Sequence, residues 1–261
     1  MKATRASVFA VLAVWLFGAA TFSYGQVPGN QSAFTETEQC DSLAEPCKPS
    51  SKEDSEVSFF PQLLQDQEKI WGAPWKKDTW QDPATYWALG LAAGSFALDG
   101  RPSRRLRENC NLDGLDDVFA GQAADVALTA YPFALWAAGA VLDRPGLTDY
   151  GRTATRAAAG GITVALGLKL ATQRSRPHNG DTYAFWEGGN SFPSGHATVA
   201  WAIAAATVRH FDEHRWVPWV AYPLAGLISF TRISSANHYA SDVVVGSTLG
   251  FAVGWQIGGD K

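Results

Sequence analysis

Three short stretches of the chain bring together residue types that handle phosphate. The first is KLATQRSRP, Lys169 to Pro177. Lys169 and Arg176 are two helical turns apart, so on a helix they point to nearly the same side. Pro177 disfavours helix at Arg176, which sets that guanidinium at a helix mouth. The second is PSGH, Pro193 to His196, opening an almost unbroken apolar run. A helix start offers unsatisfied N–H groups and a partial positive charge, a ready receptor for an anion. Gly195 leaves its N–H open to that anion, Ser194 adds a hydroxyl, and His196 stands beside it with a proton to exchange near neutral pH. The third is TRISSANHYASD, Thr231 to Asp242. His238 and Asp242 are spaced to share a helix face, so the carboxylate can hold one ring nitrogen while the other points at a substrate. That is the arrangement of an oriented, nucleophilic histidine. Taken singly, each pattern also fits a plainer role: surface charge, a Pro-Ser helix cap, and a capping Asp beside a core histidine.

The elements that must position these groups are apolar, Ala- and Gly-rich segments at about 84–98, 119–142, 153–171, 195–209, 217–231 and 240–257. They lack strict alternation and their lengths suit helices rather than strands. The expected fold is therefore all-α, a bundle of about six apolar helices with the active site at one end, in which Ala and Gly let neighbours approach closely. Pro132 is expected to kink or break the second helix. Most uninterrupted apolar runs fall short of the ~20 residues a bilayer span needs, and the mean hydropathy is −0.09. The basic cluster Arg101, Arg104, Arg105 and Arg107 points the other way, since it would lie inside in a six-span topology. The expectation is an exported, periplasmic bundle, with association with a membrane left open.

Residues 1–25 place Lys2 and Arg5 before an apolar stretch and small residues, the order of a secretory signal. Residues 26–57 are rich in Ser, Glu, Asp, Pro and Lys and read as a flexible acidic linker. In 58–82, Phe60, Leu63, Leu64 and Ile70 recur at helical spacing, predicting a short amphipathic helix docked on the main domain, 83–261. A net charge of −4, with 21 Lys and Arg against 25 Asp and Glu, gives no basic block for nucleic acid. Cys40, Cys47 and Cys110 are too few for a disulfide scaffold. Cys40 and Cys47 can close a small loop in an oxidising compartment, and free thiols fit nearly as well. His210 and His214 share a helix face and read as a charged helix end rather than a metal site. The connector 178–192 overhangs the pocket, where His178, Tyr183, Phe185 and Trp186 are candidates to meet substrate.

In order and spacing the three patterns together resemble the signature of the type 2 phosphatidic acid phosphatase superfamily: Lys-x6-Arg-Pro, Pro-Ser-Gly-His, then Ser-Arg-x5-His-x3-Asp. The resemblance covers about 160–257 and, more loosely, the bundle from 84 onwards. Thr231 stands where the pattern usually has Ser, keeping a hydroxyl. The resemblance implies that His238 attacks phosphorus to form a phosphohistidine, that Asp242 orients it, and that His196 protonates the leaving alkoxide and then activates water. It implies that Lys169, Arg176, Arg232, Ser194 and the Gly195 N–H surround the phosphoryl oxygens, with no metal or other cofactor. The implied partner is a phosphorylated small molecule or lipid phosphate. Two further readings remain: a vanadium-dependent haloperoxidase, whose family uses a related pocket, and a non-catalytic bundle that binds phosphate or a partner.

Overall fold

The computed structural model describes residues 58–100, 103–105, 108, 119, 122–177 and 184–259. The signal and linker assignments, the three cysteines, His178 and Tyr183 lie outside the described residues, as do Arg101 and Arg107 of the basic cluster.

The helices are α1 (Phe59–Gly72), α2 (Lys77–Gln81), α3 (Pro83–Ser95), α4 (Gln122–Val141), α5 (Pro145–Thr172), α6 (Gly195–His210), α7 (Val217–Ser234) and α8 (Ala240–Ile257). No strand occurs among the described residues, and the fold is an all-α bundle. Several helix starts are written in the sequence. Asp82 caps α3 by accepting the Ala84 N–H, with Pro83 following, and Pro145 and Pro218 occupy the first turns of α5 and α7, where a missing N–H costs nothing. Pro132 does not break α4, which continues through it. Its ring is almost fully buried, so packing of the surrounding helix outweighs the lost hydrogen bond.

Helix α6 is the centre of the bundle and packs against α8, α5 and α7. Ala197, Thr198, Ala202 and Ala205 are fully buried, as expected of a helix covered on most sides. Its contact with α8 is unusually close. Gly246, Gly250, Gly254 and Gly258 form one stripe along α8, and a Cβ at Gly250 would lie 2.1 Å from Thr198 O, while one at Gly254 would lie 2.0 Å from Ala202 O. Only hydrogen fits there, so the glycines set the distance between two backbones.

The amphipathic helix expected over 58–82 is present as α1, but its inward face differs from the expected one. Ile70 joins the core with Ala157, Val164 and Val253, whereas Phe60 and Leu64 are 73% and 70% exposed. The anchor is instead a buried ion pair: Arg156 Nε and Nη2 donate to the two Asp66 carboxylate oxygens at 2.6 and 2.7 Å. Apolar spacing could not reveal it because its chemistry is polar on both sides. No helix among the described residues is long and apolar enough to cross a membrane.

The last turn of α5, the start of α6, the end of α7 and the start of α8 meet at one end of the bundle. Helix α5 stops at Thr172, close to the end of the expected 153–171 segment but short of Arg176, with Gln173 in the left-handed region at φ 45°. The chain then folds back. Trp186 N–H donates to Thr172 O at 2.8 Å, Gly189 N–H to Gln173 O at 3.0 Å, and Ser191 N–H to Arg174 O at 2.9 Å. These bonds satisfy carbonyls that the helix end leaves open and deliver Asn190 and Ser191 to the bundle mouth.

Candidate functional site

A cavity of about 360 Å³ opens at that mouth, lined by Lys169, Arg176, Gly195, His196, Arg232 and His238 among its polar members. Residues some seventy positions apart in the chain thus face one space. Leu128, Ile162, Leu166 and Val199 form its apolar wall. Lys169 comes from the last turn of α5 and Arg232 from that of α7, where cations complement the helix dipole. Arg176 does not share a helix with Lys169, since α5 has ended. It reaches the cavity from the non-helical segment after it.

Asn190, which the sequence patterns did not mark, holds both cations: Lys169 Nζ donates to its main-chain oxygen, and Arg176 Nε donates to its Oδ1 at 2.8 Å. Arg176 also reaches Asn237 Oδ1 at 3.5 Å, and Arg232 Nη1 donates to Phe119 O at 3.3 Å. Three basic groups in one part-desolvated space repel one another. Burial, then Arg176, lowers the Lys169 ammonium to about 8, with Arg232 adding to the effect and Asp242 opposing it. Such a cluster is relieved by an anion placed among its members.

Helix α6 begins at Gly195, so its first N–H groups open towards this cavity. A Cβ at Gly195 would have only the Lys169 Cε within 4 Å, at 3.8 Å. The open side of the glycine therefore faces a cation across free space. Ser194 Oγ is buried and makes no hydrogen bond to any described residue, a donor without the partner that buried hydroxyls ordinarily have. The Thr231 hydroxyl, by contrast, is turned back to Ile228 O at 2.9 Å.

His238 precedes α8 rather than lying on it, with its N–H on Arg232 O at 3.0 Å. Its Nδ1 is 2.7 Å from Ser191 O. A carbonyl only accepts, so Nδ1 carries the proton and Nε2 keeps a lone pair. The group that fixes the ring directly is thus the Ser191 carbonyl. Asp242 stands behind it, with Oδ2 3.7 Å from Nδ1, while the same oxygen accepts the Tyr239 N–H at 2.9 Å and the Ser191 hydroxyl at 2.5 Å. Burial lowers the His238 imidazole to about 4, against the opposing pull of Asp242 and with the help of Lys169 and Arg176. The ring is consequently neutral at physiological pH. For Asp242, burial alone would raise the carboxyl. The bonds and charges of His238, Arg174 and Ser191 overcome that and hold it below its ordinary value.

Of the connector candidates, the two that are described, Phe185 and Trp186, do not line this cavity. Phe185 packs against Phe96 and Phe192, and Trp186 is exposed, its indole N–H on Ala171 O. His210 ends α6, 3.9 Å from Asp149, and His214 lies in the following turn, both at the far end of the bundle. What the sequence patterns missed is the supporting layer: Asn190 and Ser191, separated from the PSGH stretch by Phe192, and Arg174 behind Asp242.

Residues 153–257 match the family described as the PAP2 superfamily. The chain is also similar to Lipid A 1-phosphatase of Porphyromonas gingivalis, at 40% identity over 68 residues, which are 25% of this chain and 15% of that protein. The matched stretch therefore spans a small part of the relative's length. No solved structure matches the chain.

Proposed function

We propose, from the match of residues 153–257 to the PAP2 superfamily, that the chain is a phosphatase acting on a lipid phosphate or related phosphate monoester through a phosphohistidine. The observation that carries the reading is the convergence of Lys169, Arg176, Arg232, His196 and His238 with the start of α6 on one cavity. Positive charge and N–H donors suit a phosphoryl group whose charge spreads over its equatorial oxygens in the transition state. The apolar wall of Leu128, Ile162, Leu166 and Val199 suits an amphiphilic alcohol on the leaving side.

The His238 Nε2 lone pair attacks phosphorus, forming an N–P bond as the P–O bond to the alkoxide breaks. His196 delivers its proton to that alkoxide. Nδ1 keeps its proton, and the imidazolium charge that develops is stabilised by the Ser191 carbonyl and the Asp242 carboxylate. His196, now neutral, removes a proton from water as the water attacks phosphorus. The N–P bond breaks, releasing inorganic phosphate and restoring His238. Lys169, Arg176 and Arg232 supply the positive charge throughout. The similarity to a lipid A phosphatase supports a lipid substrate, and the signal-like residues 1–25 support export to the periplasm.

The test compares phosphate release from a detergent-dispersed lipid phosphate and from p-nitrophenyl phosphate, with chelator present, for the wild type and His238→Ala. Release by the wild type and its loss in the variant is the expected result. Wild-type-like release by His238→Ala refutes the assignment, and vanadate-dependent bromide oxidation without hydrolysis would favour the haloperoxidase reading.

A further inference from the structure

Behind the cavity lies a buried charge cluster of which only Asp242 enters the steps above. Arg174, two residues before Arg176, is 1% exposed. Its Nη1 donates to Asp242 Oδ1 at 2.6 Å and to Ser241 Oγ at 2.7 Å, and its Nη2 donates to Asp99 Oδ2 at 2.6 Å. Asp99, just past α3, is buried too and grips the start of α8 independently. Its Oδ1 accepts the Ser241 N–H at 2.8 Å, and its Oδ2 accepts the Ser241 hydroxyl at 2.6 Å. The guanidinium is enclosed by the rings of Tyr239, Phe185 and Phe96, 4.4, 4.8 and 5.4 Å away. Arg174 is not among the residues lining the cavity.

We propose that Arg174 and Asp99 are positioning residues for the reaction, which fix the Asp242 carboxylate so that its Oδ2 edge faces the His238 ring. The geometry divides the carboxylate into two jobs. Oδ1 is committed to Arg174, and Oδ2 is left for the α8 start, the Ser191 hydroxyl and the imidazole. A buried carboxylate without Arg174 would take up a proton or turn, and either change removes the negative charge that a phosphorylated, positively charged His238 needs. The charge count points the same way. Within this cluster two buried carboxylates face one guanidinium, and the imidazolium of the intermediate is placed beside the excess negative charge. Since neither residue reaches substrate, their effect belongs on the chemical steps and not on anion binding. The inference rests on the proposed phosphatase reading.

The experiment measures kcat for hydrolysis and the inhibition constant of inorganic phosphate for the wild type, Arg174→Met and Asp99→Asn, with thermal unfolding followed for each. Loss of such an outer support typically costs about 10- to 100-fold. The expected result is a fall of that size in kcat for Arg174→Met, a smaller fall for Asp99→Asn, and phosphate inhibition within about twofold of wild type. Asp99→Asn preserves shape and carries the test if Arg174→Met does not fold. A folded variant that keeps wild-type kcat, or one whose phosphate affinity falls in step with kcat, overturns the positioning role. A wild type that releases no phosphate overturns the functional reading and this inference with it.

Discussion

Replacing Gly250 with alanine tests whether the distance between α6 and α8 sets the geometry of the site. The added Cβ would lie 2.1 Å from Thr198 O, 2.9 Å from its carbonyl carbon and 3.0 Å from its Cα. All three are backbone atoms in the first turn of a buried helix, so no side chain can swing away. Restoring a contact of about 3.5 Å requires the two helices to part by roughly 1.4 Å. Overpacking of this kind costs about 1–3 kcal/mol, and a rigid backbone neighbour places it near the top of that range. The better helix propensity of alanine returns about 1 kcal/mol, leaving a net loss of about 2 kcal/mol. For a domain of this size that lowers Tm by roughly 4–8 °C. Activity should suffer more, because α6 carries His196 and the turn before α8 carries His238, and misplacing reacting groups by about 1 Å costs on the order of 100-fold. Gly226→Ala in α7 is the control. Nothing lies within 4 Å of its Cβ position, so it should hold or raise Tm and leave turnover unchanged. The assay is thermal unfolding together with phosphate release on the same preparations. A Gly250→Ala variant with wild-type Tm and turnover refutes the reasoning, as does a Gly226→Ala variant that loses as much.

Two further outcomes follow from the charges. The shifts of His238 and Lys169 favour their uncharged forms, so kcat/KM should persist on the acid side until His238 takes a proton near pH 4, and the inhibition constant of phosphate should rise above about pH 8 as Lys169 loses its charge. An acid limb at the ordinary histidine value, with a phosphate affinity flat to pH 10, contradicts that picture. In Asp66→Ala the buried Arg156 loses its carboxylate, which should cost about 3–5 kcal/mol in urea unfolding. Replacing both partners by apolar residues should be far milder, and equal losses in the two variants contradict the ion pair as the anchor of α1.

The helices were legible because apolar length and the Pro and Asp signals at their starts are local properties. The glycines at 246, 250, 254 and 258 could be read as a stripe, but which helix they meet is a tertiary fact. At the site, the residue types that bear chemistry stood out by their spacing, whereas their supports did not. Arg174 reads as surface charge beside Arg176 until Asp99, distant in sequence, is folded against it. Ser191 acts through its main-chain carbonyl, a role that leaves no trace in residue type. Arg176 was expected at a helix mouth because Pro177 was the visible stop, while the connector folding back on Thr172 and Gln173 ends the helix sooner. On α1, the exposed Phe60 and Leu64 misdirected the inward face because the true anchor was charged.

The most direct measurement is to quench the enzyme with alkali during turnover of a labelled phosphate ester and map the label by peptide mass spectrometry, since phosphohistidine survives base. The account predicts phosphate on His238, accumulating further in His196→Ala when the ester is a nitrophenyl phosphate, whose leaving group needs no acid, because the hydrolysis step loses its base. Turnover with no label on any histidine, or label carried by a residue other than His238, contradicts it.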